Sequence, residues 1–166
     1  MKNDWKGFTI YELVIVIVLL LILSVAVAVK VISFDEIKLS SAASKLASDI
    51  TYCQQLAVTK QIFHGISFDI PNNQYFLYQN SPATKIKDPY NRSQDFIVSY
   101  DTISELTGVV LNTVNINSTA GLIFDGLGIP YDANQNVLGS SGTIVLKIGT
   151  NSKTITITPQ TGKVSW

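Results

Sequence analysis

Near its start the chain reads Lys6-Gly7-Phe8-Thr9-Ile10-Tyr11-Glu12, and it then continues from Leu13 to Val29 without a charged residue. An ionisable side chain inside a membrane segment is costly, and it usually marks a partner or a functional site. The sequence offers Glu12 no cationic residue within the same apolar stretch. We therefore expect the partner of Glu12 to lie on another molecule.

The apolar run predicts a single membrane-spanning helix at residues 8–29. A helix of this length is about 33 Å long, which is enough to cross the hydrocarbon core of a bilayer. Lys2 and Lys6 precede the run, so the positive-inside rule places the N-terminus in the cytoplasm. A secretory signal peptide is one alternative interpretation, but its apolar stretch is shorter, about 7 to 15 residues. A plain single-pass anchor is another, but it does not account for the costly Glu12.

Gly7, Phe8, Thr9 and Glu12, followed by an apolar helix, resemble the prepilin leader of type IV pilins and type II secretion pseudopilins. The resemblance implies that residues 1–7 are a leader peptide. A prepilin peptidase would cut between Gly7 and Phe8 and would methylate the new N-terminus at Phe8. Glu12 would act in assembly, by neutralising the N-terminal ammonium of a neighbouring subunit.

The same resemblance implies where the protein works and what it contacts. It would be inserted in the bacterial inner membrane with residues 8–29 among the lipids and its C-terminal domain in the periplasm. Its partners would be other pilins or pseudopilins, the prepilin peptidase and an inner-membrane assembly platform. From there it would be incorporated into a type II secretion pseudopilus or a type IV pilus.

Composition fits an exported domain with an anchor. The chain has 166 residues, with 12 basic and 12 acidic side chains and a formal net charge of zero. Because a general nucleic-acid binder usually has a basic footprint, we expect no nucleic-acid partner of that kind. The single Cys53 excludes an intramolecular disulfide.

A second helical pattern follows the apolar run, and we assign it to residues 30–61. Its apolar residues recur at spacings of four, three, four, three and four, which is typical of one buried helix face. They are Leu39, Ala43, Leu46, Ile50, Cys53 and Ala57. No proline precedes Pro71, so the sequence predicts one continuous helix from Phe8 to about Gln61, weakest at Ser33-Phe34-Asp35.

Residues 62–166 read as a β-rich domain. Alternating segments separated by Asn, Gly and Pro predict strands. These segments are Ile62 to Phe68, Gln74 to Tyr78, Asp95 to Tyr100, Gly108 to Leu111, Gly121 to Phe124, Thr143 to Ile148, Thr154 to Thr158 and Lys163 to Trp166. Asn80 to Gln94 reads as an exposed loop. A long helix followed by strands predicts an α+β fold with an antiparallel sheet.

The C-terminal half is similar to the H-type minor pseudopilins and the T-type fimbrial minor pilins. The similarity rests on Leu122-Ile123-Phe124-Asp125-Gly126, on the paired segments Gly142 to Leu146 and Thr154 to Ile157, and on Thr161-Gly162-Lys163-Val164. It implies a pilin-like fold, in which the long helix packs on an antiparallel β-sheet domain. The combined resemblance implies that the chain is a minor pilin or pseudopilin in function.

The sequence gives no reason to expect catalysis, a cofactor or a metal. His64 is the only histidine, and no second residue pairs with it in a recognisable catalytic pattern. Asp132 to Asn136 has some of the spacing of a calcium loop. However, Val137 and Thr143 stand where an EF-hand needs Gly and Glu. We interpret this stretch as a polar turn.

Two other functions remain compatible with the sequence. One is a minor pilin that captures DNA for natural transformation, using either of two small basic sets. These sets are Lys85, Lys87 and Arg92, or Lys147, Lys153 and Lys163. The other is a membrane-anchored binding domain unrelated to filaments, which would not require cleavage by a peptidase.

Overall fold

The structure, a computed structural model, describes residues 9–30 and 34–166, and for residues 24–30 it describes the backbone only. The chain divides into two compact units, one ending at Phe34 and the other running from Asp35 to Trp166. Helix α1 spans Ile10–Lys30 and helix α2 spans Phe34–Lys60. The predicted continuity between them depends on residues 31–33, which lie outside the described residues.

Helix α1 consists almost entirely of Leu, Ile, Val and Ala, with Glu12 in its first turn and Lys30 at its end. From Leu13 to Leu23 its large apolar side chains are exposed to the surroundings. Among the residues that the structure describes, no helix is both long enough and apolar enough to cross a membrane.

The second unit contains α2 and nine strands. They are β1 (His64–Asp69), β2 (Gln74–Gln79), β3 (Ile97–Ser99), β4 (Val110–Asn115), β5 (Gly121–Phe124), β6 (Pro130–Asp132), β7 (Gly142–Ile148), β8 (Asn151–Ile157) and β9 (Val164–Ser165). The predicted α+β fold is confirmed. The strands form two sheets, ordered β3-β2-β1-β5-β6 and β4-β7-β8-β9, in which all neighbouring strands are antiparallel.

One face of α2 is buried in a hydrophobic core that it shares with both sheets. All six residues of the predicted apolar stripe lie on this face, joined by Ala42 and Ala47. The core also holds Leu77 and Phe124 from the first sheet, and Ile144 and Ile155 from the second. The spacing in the sequence therefore identified the packed face correctly, because apolar residues three and four apart fall on one side of a helix.

Helix α2 ends at Lys60 because the next residue, Gln61, adopts a left-handed backbone with φ of 55°. The Gln61 side chain stabilises this end. Its Nε2 donates to the carbonyl of Val58 at 2.6 Å and to the carbonyl of Gly126 at 2.9 Å. The second bond joins the helix end to the loop that follows β5.

A buried asparagine joins the two sheets. Asn73 lies in the turn between β1 and β2 with φ of 49°, a backbone region that Asn tolerates better than most residues. Its Nδ2 donates to Asp101 at 2.7 Å and to the carbonyl of Val109 at 2.9 Å, and its Oδ1 accepts from the amide of Leu111 at 2.8 Å. The first sheet is thereby fixed to the beginning of the second.

Two features differ from the expected sheet. The strands form two sheets, whereas the sequence predicted one. The sequence also predicted no strand at Pro130–Asp132, where β6 lies. Pro130, at the start of β6, cannot donate a ladder hydrogen bond, so it is tolerated at the sheet edge where β6 lies. The segment from Asn80 to Gln94 is largely exposed, as predicted, although single bridges join Tyr78 to Lys85 and Lys87 to Asp95.

Candidate assembly site

The predicted assembly residue, Glu12, lies in the first turn of α1. The backbone amide of Glu12 donates to Oγ1 of Thr9 at 3.3 Å and to the carbonyl of Thr9 at 3.1 Å. Thr9 therefore occupies the N-cap position, and Glu12 is the third helical residue. Threonine followed three residues later by glutamate is the capping-box pattern. Sequence reasoning missed this pattern, although the spacing from Thr9 to Glu12 was visible.

Helix capping gives Glu12 a local role besides any contact with another subunit. A carboxylate in the first turn interacts favourably with the positive end of the helix dipole. The Glu12 side chain is exposed, and the ion pairs among residues 9–30 and 34–166 are Lys45–Asp49 and Lys87–Asp95. Within that part of the chain, Glu12 thus has no cationic partner. Gly7 and Phe8, the predicted cleavage and methylation residues, lie outside the described residues.

In the second unit, a polar cluster fixes the middle of α2 to the first sheet. Asp49 accepts a hydrogen bond from the hydroxyl of Tyr75 at 2.5 Å, and the ammonium of Lys45 lies 3.1 Å from the same oxygen, Oδ2. Burial and the charge of Asp49 raise the pKa of Tyr75 well above its ordinary value. Tyr75 therefore remains a neutral donor, and the helix cannot rotate without breaking this bond.

A second polar contact fixes the last turns of α2 to two loops. The Nε2 of Gln54 donates to the carbonyl of Gly128 at 2.8 Å and to the carbonyl of Thr161 at 2.9 Å. Gly162 lies directly under this amide with φ of 64°. A Cβ at that position would be 2.6 Å from Gln54 Nε2 and 2.8 Å from the Phe124 ring. The glycine in the Thr161-Gly162 turn is therefore required by space as well as by backbone conformation.

The two lone reactive side chains, His64 and Cys53, are both buried in the core region. His64 Nδ1 lies 3.1 Å from the carbonyl of Ile62, and its Nε2 has no hydrogen-bond partner in the described part of the chain. Burial lowers the pKa of His64. The hydrogen bond to the Ile62 carbonyl partly offsets this effect, and the nearby Lys60 charge adds to it. Burial raises the pKa of the Cys53 thiol far above its usual range, which makes the thiol a poor nucleophile.

The Asp132–Asn136 stretch is a turn organised by one carboxylate. Asp132 Oδ1 accepts from the amides of Asn134 at 2.8 Å and Asn136 at 2.9 Å, and Oδ2 accepts from the Asn136 side chain at 3.2 Å. Burial raises the pKa of Asp132, but the hydrogen bonds from Asn136, Asn134 and Asn117 outweigh it and lower the pKa overall. No cluster of three metal-binding side chains occurs among the described residues. The Asp132 carboxylate therefore stabilises the turn through these hydrogen bonds.

Solved structures are similar in fold to this chain. The minor pseudopilin EpsH from the type 2 secretion system of Vibrio cholerae superposes with a TM-score of 0.54 at 10% identity. The match covers 77% of this chain and 94% of that one. The protein has a pilin-like fold. The likeness at this identity is one of fold, and it extends over nearly all of the EpsH chain.

The type IV minor pilin FimU of Pseudomonas aeruginosa has the same pilin-like fold. Two crystal forms match with TM-scores of 0.52 and 0.51, each at 14% identity. They cover 78% and 76% of this chain and 88% and 90% of FimU. No protein-family model and no curated protein matches the sequence.

Within the pilin-like fold, the residues of the C-terminal basic set are separated. Lys147 and Lys153 lie on the paired strands β7 and β8, but Lys153 pairs in register with Leu146. Lys147 therefore projects from the opposite face of the sheet. The ammonium of Lys153 lies 3.2 Å from Ser40 Oγ and 4.7 Å from the centre of the Trp166 ring. Lys147 and Lys153 therefore do not share one patch.

The other basic set is partly brought together. Lys85 and Lys87 line a groove of about 370 Å³ that also includes Lys60 from α2. Arg92 is exposed in the same loop but is not part of the groove lining. Sequence reasoning missed Lys60, because only the fold brings the end of α2 beside the loop after β2.

Proposed function

We propose that this chain is a minor subunit of a pilin-like filament, either a type II secretion pseudopilus or a type IV pilus. The observation that carries the proposal is the pilin-like fold, which extends over 94% of the minor pseudopilin EpsH. Support also comes from the apolar α1, which begins at the Thr9-to-Glu12 capping pattern. The role assigned is structural, with no catalytic activity and no cofactor.

The proposal includes processing at the inner membrane. A prepilin peptidase would cut between Gly7 and Phe8, remove residues 1–7 and methylate Phe8. Residues 8–29 would then hold the subunit in the membrane, with residues 30–61 leading into the periplasmic β-rich domain at 62–166. Residues 8–29 contain one carboxylate and no other charge, which fits this division.

Assembly would transfer the apolar helix from lipid into a bundle of similar helices. There Glu12 would face the N-terminal ammonium of a neighbouring subunit. Attraction between opposite charges is strong where the dielectric constant is low, so the pair would favour one register of the two helices. Desolvation of both charges limits the net stabilisation. The assembly platform and other pilins or pseudopilins would be the partners in this step.

The test is the mass of the mature N-terminus. The full chain is co-expressed with a prepilin peptidase, and the product purified from membranes should begin at N-methylated Phe8. Gly7→Val places a branched side chain where the peptidase must approach the backbone, so it should leave the precursor uncut. Asn3→Ala changes the leader outside the motif and should be processed like the wild type.

An intact N-terminus in the wild-type chain would contradict the proposal and favour the anchored binding domain, which needs no cleavage. Cleavage beyond Ala26 would also contradict it, because such a cut removes the apolar helix and indicates a secretory signal peptide. Cleavage of Gly7→Val at the same rate as the wild type would show that another enzyme makes the cut.

A further inference from the structure

Two Asn-X-Ser/Thr triplets occur in the chain, both of them in the second unit. They are Asn91-Arg92-Ser93 and Asn117-Ser118-Thr119. This triplet is the acceptor pattern for an N-linked glycan on the side-chain amide of asparagine, provided that X is not proline. Because so short a pattern also arises by chance, the geometry around each asparagine decides whether its amide nitrogen is free to react.

Asn91 lies in an exposed loop that is held at its base. Lys87 and Asp95 pair across the base as a β-bridge, and their side chains form an ion pair of 2.7 Å. Between them, residues 89–94 are exposed, and Tyr90 has 98% of its surface in solvent. The loop therefore presents Asn91 in a defined position that an enzyme can reach.

The side-chain oxygen of Asn91 is bonded to Ser93. Its Oδ1 accepts from the Ser93 hydroxyl at 2.6 Å and from the Ser93 amide at 3.3 Å. A backbone N–H can only donate, so the atom that meets it must be the oxygen of the Asn91 side chain. The other atom, Nδ2, has no hydrogen-bond partner in the described part of the chain. The nitrogen that would carry a sugar is thus free.

The second triplet has the opposite arrangement. Asn117 is half-buried, and its Nδ2 donates to the carbonyl of Val137 at 3.3 Å and to Asp132 Oδ2 at 3.5 Å. The Thr119 hydroxyl donates to the carbonyl of Ile116 at 2.8 Å instead of to Asn117. The amide nitrogen of Asn117 is therefore engaged within the fold. The two triplets share a sequence pattern but not an accessible nitrogen.

We propose that Asn91 is the acceptor of an N-linked glycan and that Asn117 is not. The donor would be an oligosaccharide joined through its anomeric carbon to a polyprenyl diphosphate, and a membrane-bound oligosaccharyltransferase would transfer it. This inference rests on the proposed function in one respect. Only a domain exported across the membrane meets that donor on the outer side.

The transfer is a substitution at the anomeric carbon. Nδ2 of Asn91 attacks this carbon, a C–N bond forms, and the C–O bond to the diphosphate breaks. The diphosphate leaves with the bonding electrons, one Nδ2 proton passes to a base of the transferase, and nothing is oxidised or reduced. By donating to Oδ1, Ser93 stabilises the negative charge that builds on this oxygen as the proton leaves.

A glycan at Asn91 is compatible with the fold. The residue belongs to no helix or strand, and it is not part of the hydrophobic core. A bulky hydrophilic group attached there stays in solvent. Substitution of Asn91 should for the same reason leave the melting temperature unchanged, so the site can be removed without unfolding the domain.

The experiment measures the intact mass of the full chain purified from the membranes of its own host. We expect the mass of the processed polypeptide plus one oligosaccharide. Fragmentation of the peptide that spans residues 88–94 should place the sugar on Asn91. Asn91→Gln should remove the added mass. Asn117→Gln is the matched control, and it should retain the added mass.

Variants of Ser93 test the contribution of its hydroxyl. Ser93→Thr keeps a hydroxyl and should remain modified. Ser93→Ala should lower the modified fraction by about tenfold or more, because the acceptor pattern requires the hydroxyl. The melting temperature of each variant is compared with that of the wild type, so that a loss of modification is not mistaken for a loss of folding.

A chain without sugar on Asn91 would overturn the inference. Sugar on Asn117 would also overturn it, because the fold would then not select the acceptor, and sugar on the Ser93 hydroxyl would indicate O-linked transfer instead. The N-terminus is read in the same spectra. An uncut leader together with a glycan on Asn91 would contradict the proposed processing alone, whereas methylated Phe8 without a glycan would contradict only this inference.

Discussion

The hydroxyl of Tyr75 on β2 donates a hydrogen bond of 2.5 Å to the carboxylate of Asp49 on α2. This bond crosses the interface between the helix and the first sheet, within a core that is otherwise almost wholly apolar. The nearby Tyr100 hydroxyl is also buried but has no hydrogen-bond partner among the described residues. The two tyrosines thus form a natural pair in which one hydroxyl is bonded and the other is not.

Removing the two hydroxyls separately should give different results. Tyr75→Phe should lower the free energy of unfolding by about 1.5–3 kcal/mol, because a hydrogen bond to a charged group is lost. Tyr100→Phe should change it little or raise it, since no bond is lost and an unpaired polar atom is removed. Urea unfolding of both variants measures this. Equal losses would show that the Tyr75 bond adds nothing specific.

The glycine of the Thr161-Gly162 turn should not tolerate a side chain. Gly162→Ala places a Cβ against Gln54 and Phe124 and forces a left-handed backbone on alanine. We expect a loss of more than about 1 kcal/mol of stability. Gly139→Ala is the matched control, because a Cβ there has no atom within 4 Å. Thermal unfolding compares the two, and a Gly162→Ala variant as stable as Gly139→Ala would contradict the structure.

Stability should fall as the pH falls below neutrality, through His64. Burial lowers its pKa in the folded state below the ordinary value of 6.5. Below pH 6.5 the unfolded chain therefore binds more protons than the folded one. The contribution of His64 is present above that pH and is lost as the pH approaches the folded pKa, with a slope of at most about 1.4 kcal/mol per pH unit.

The control for this prediction is His64→Phe, which keeps a buried ring without a titrating group. Its stability should be flatter between pH 7 and 5, because the aspartates and glutamates titrate mainly at lower pH. Urea unfolding at several pH values, wild type beside variant, measures the difference. Identical slopes would show that another group causes the loss.

Glu12 should act in assembly and not in folding of the second unit. Glu12→Gln and Glu12→Ala should leave the melting temperature of the β-rich domain unchanged. Incorporation into the filament should fail, with a loss of roughly 3–5 kcal/mol if a fully buried pair is broken. Thr9→Ala is the control that weakens the same helix end without removing the charge, by about 1 kcal/mol.

The measurement is cross-linking of the full chain to the other pilins of the same host, together with secretion or piliation. Normal assembly of both Glu12 variants would rule out a role for the carboxylate in the contact. Failure of Thr9→Ala to the same extent would assign the effect to the capping of α1, and the proposed contact with a neighbouring ammonium would then be unnecessary.

Local patterns in the sequence predicted most of the secondary-structure elements of the second unit. The apolar stripe of α2 was predicted residue by residue, because helical spacing alone determines which side chains share a face. Strands β1, β2, β7 and β8 were predicted from alternation and flanking turn residues, since both signals lie within a few neighbouring residues. The capping pattern from Thr9 to Glu12 was equally local and was overlooked.

Long-range contacts could not be read in the same way. Asn73 reads as a turn residue, yet its side chain joins two sheets through Asp101, Val109 and Leu111. The groove at the end of α2 requires Lys60 to lie beside residues 84–87, more than twenty positions further along the chain. Neither contact produces a periodic pattern in the sequence, because each depends on where distant segments of the chain meet in the fold.

The sequence by itself determined the helix that packs on the sheets, most of the strands and the α+β class, because propensity and hydrophobic periodicity act over a few neighbouring residues. It also predicted the leader and Glu12 from a local motif. Only the tertiary structure decided that the strands form two sheets, that β6 closes one edge and that Tyr75 and Tyr100 differ. These features depend on how core side chains fill space and on which buried polar atoms find partners.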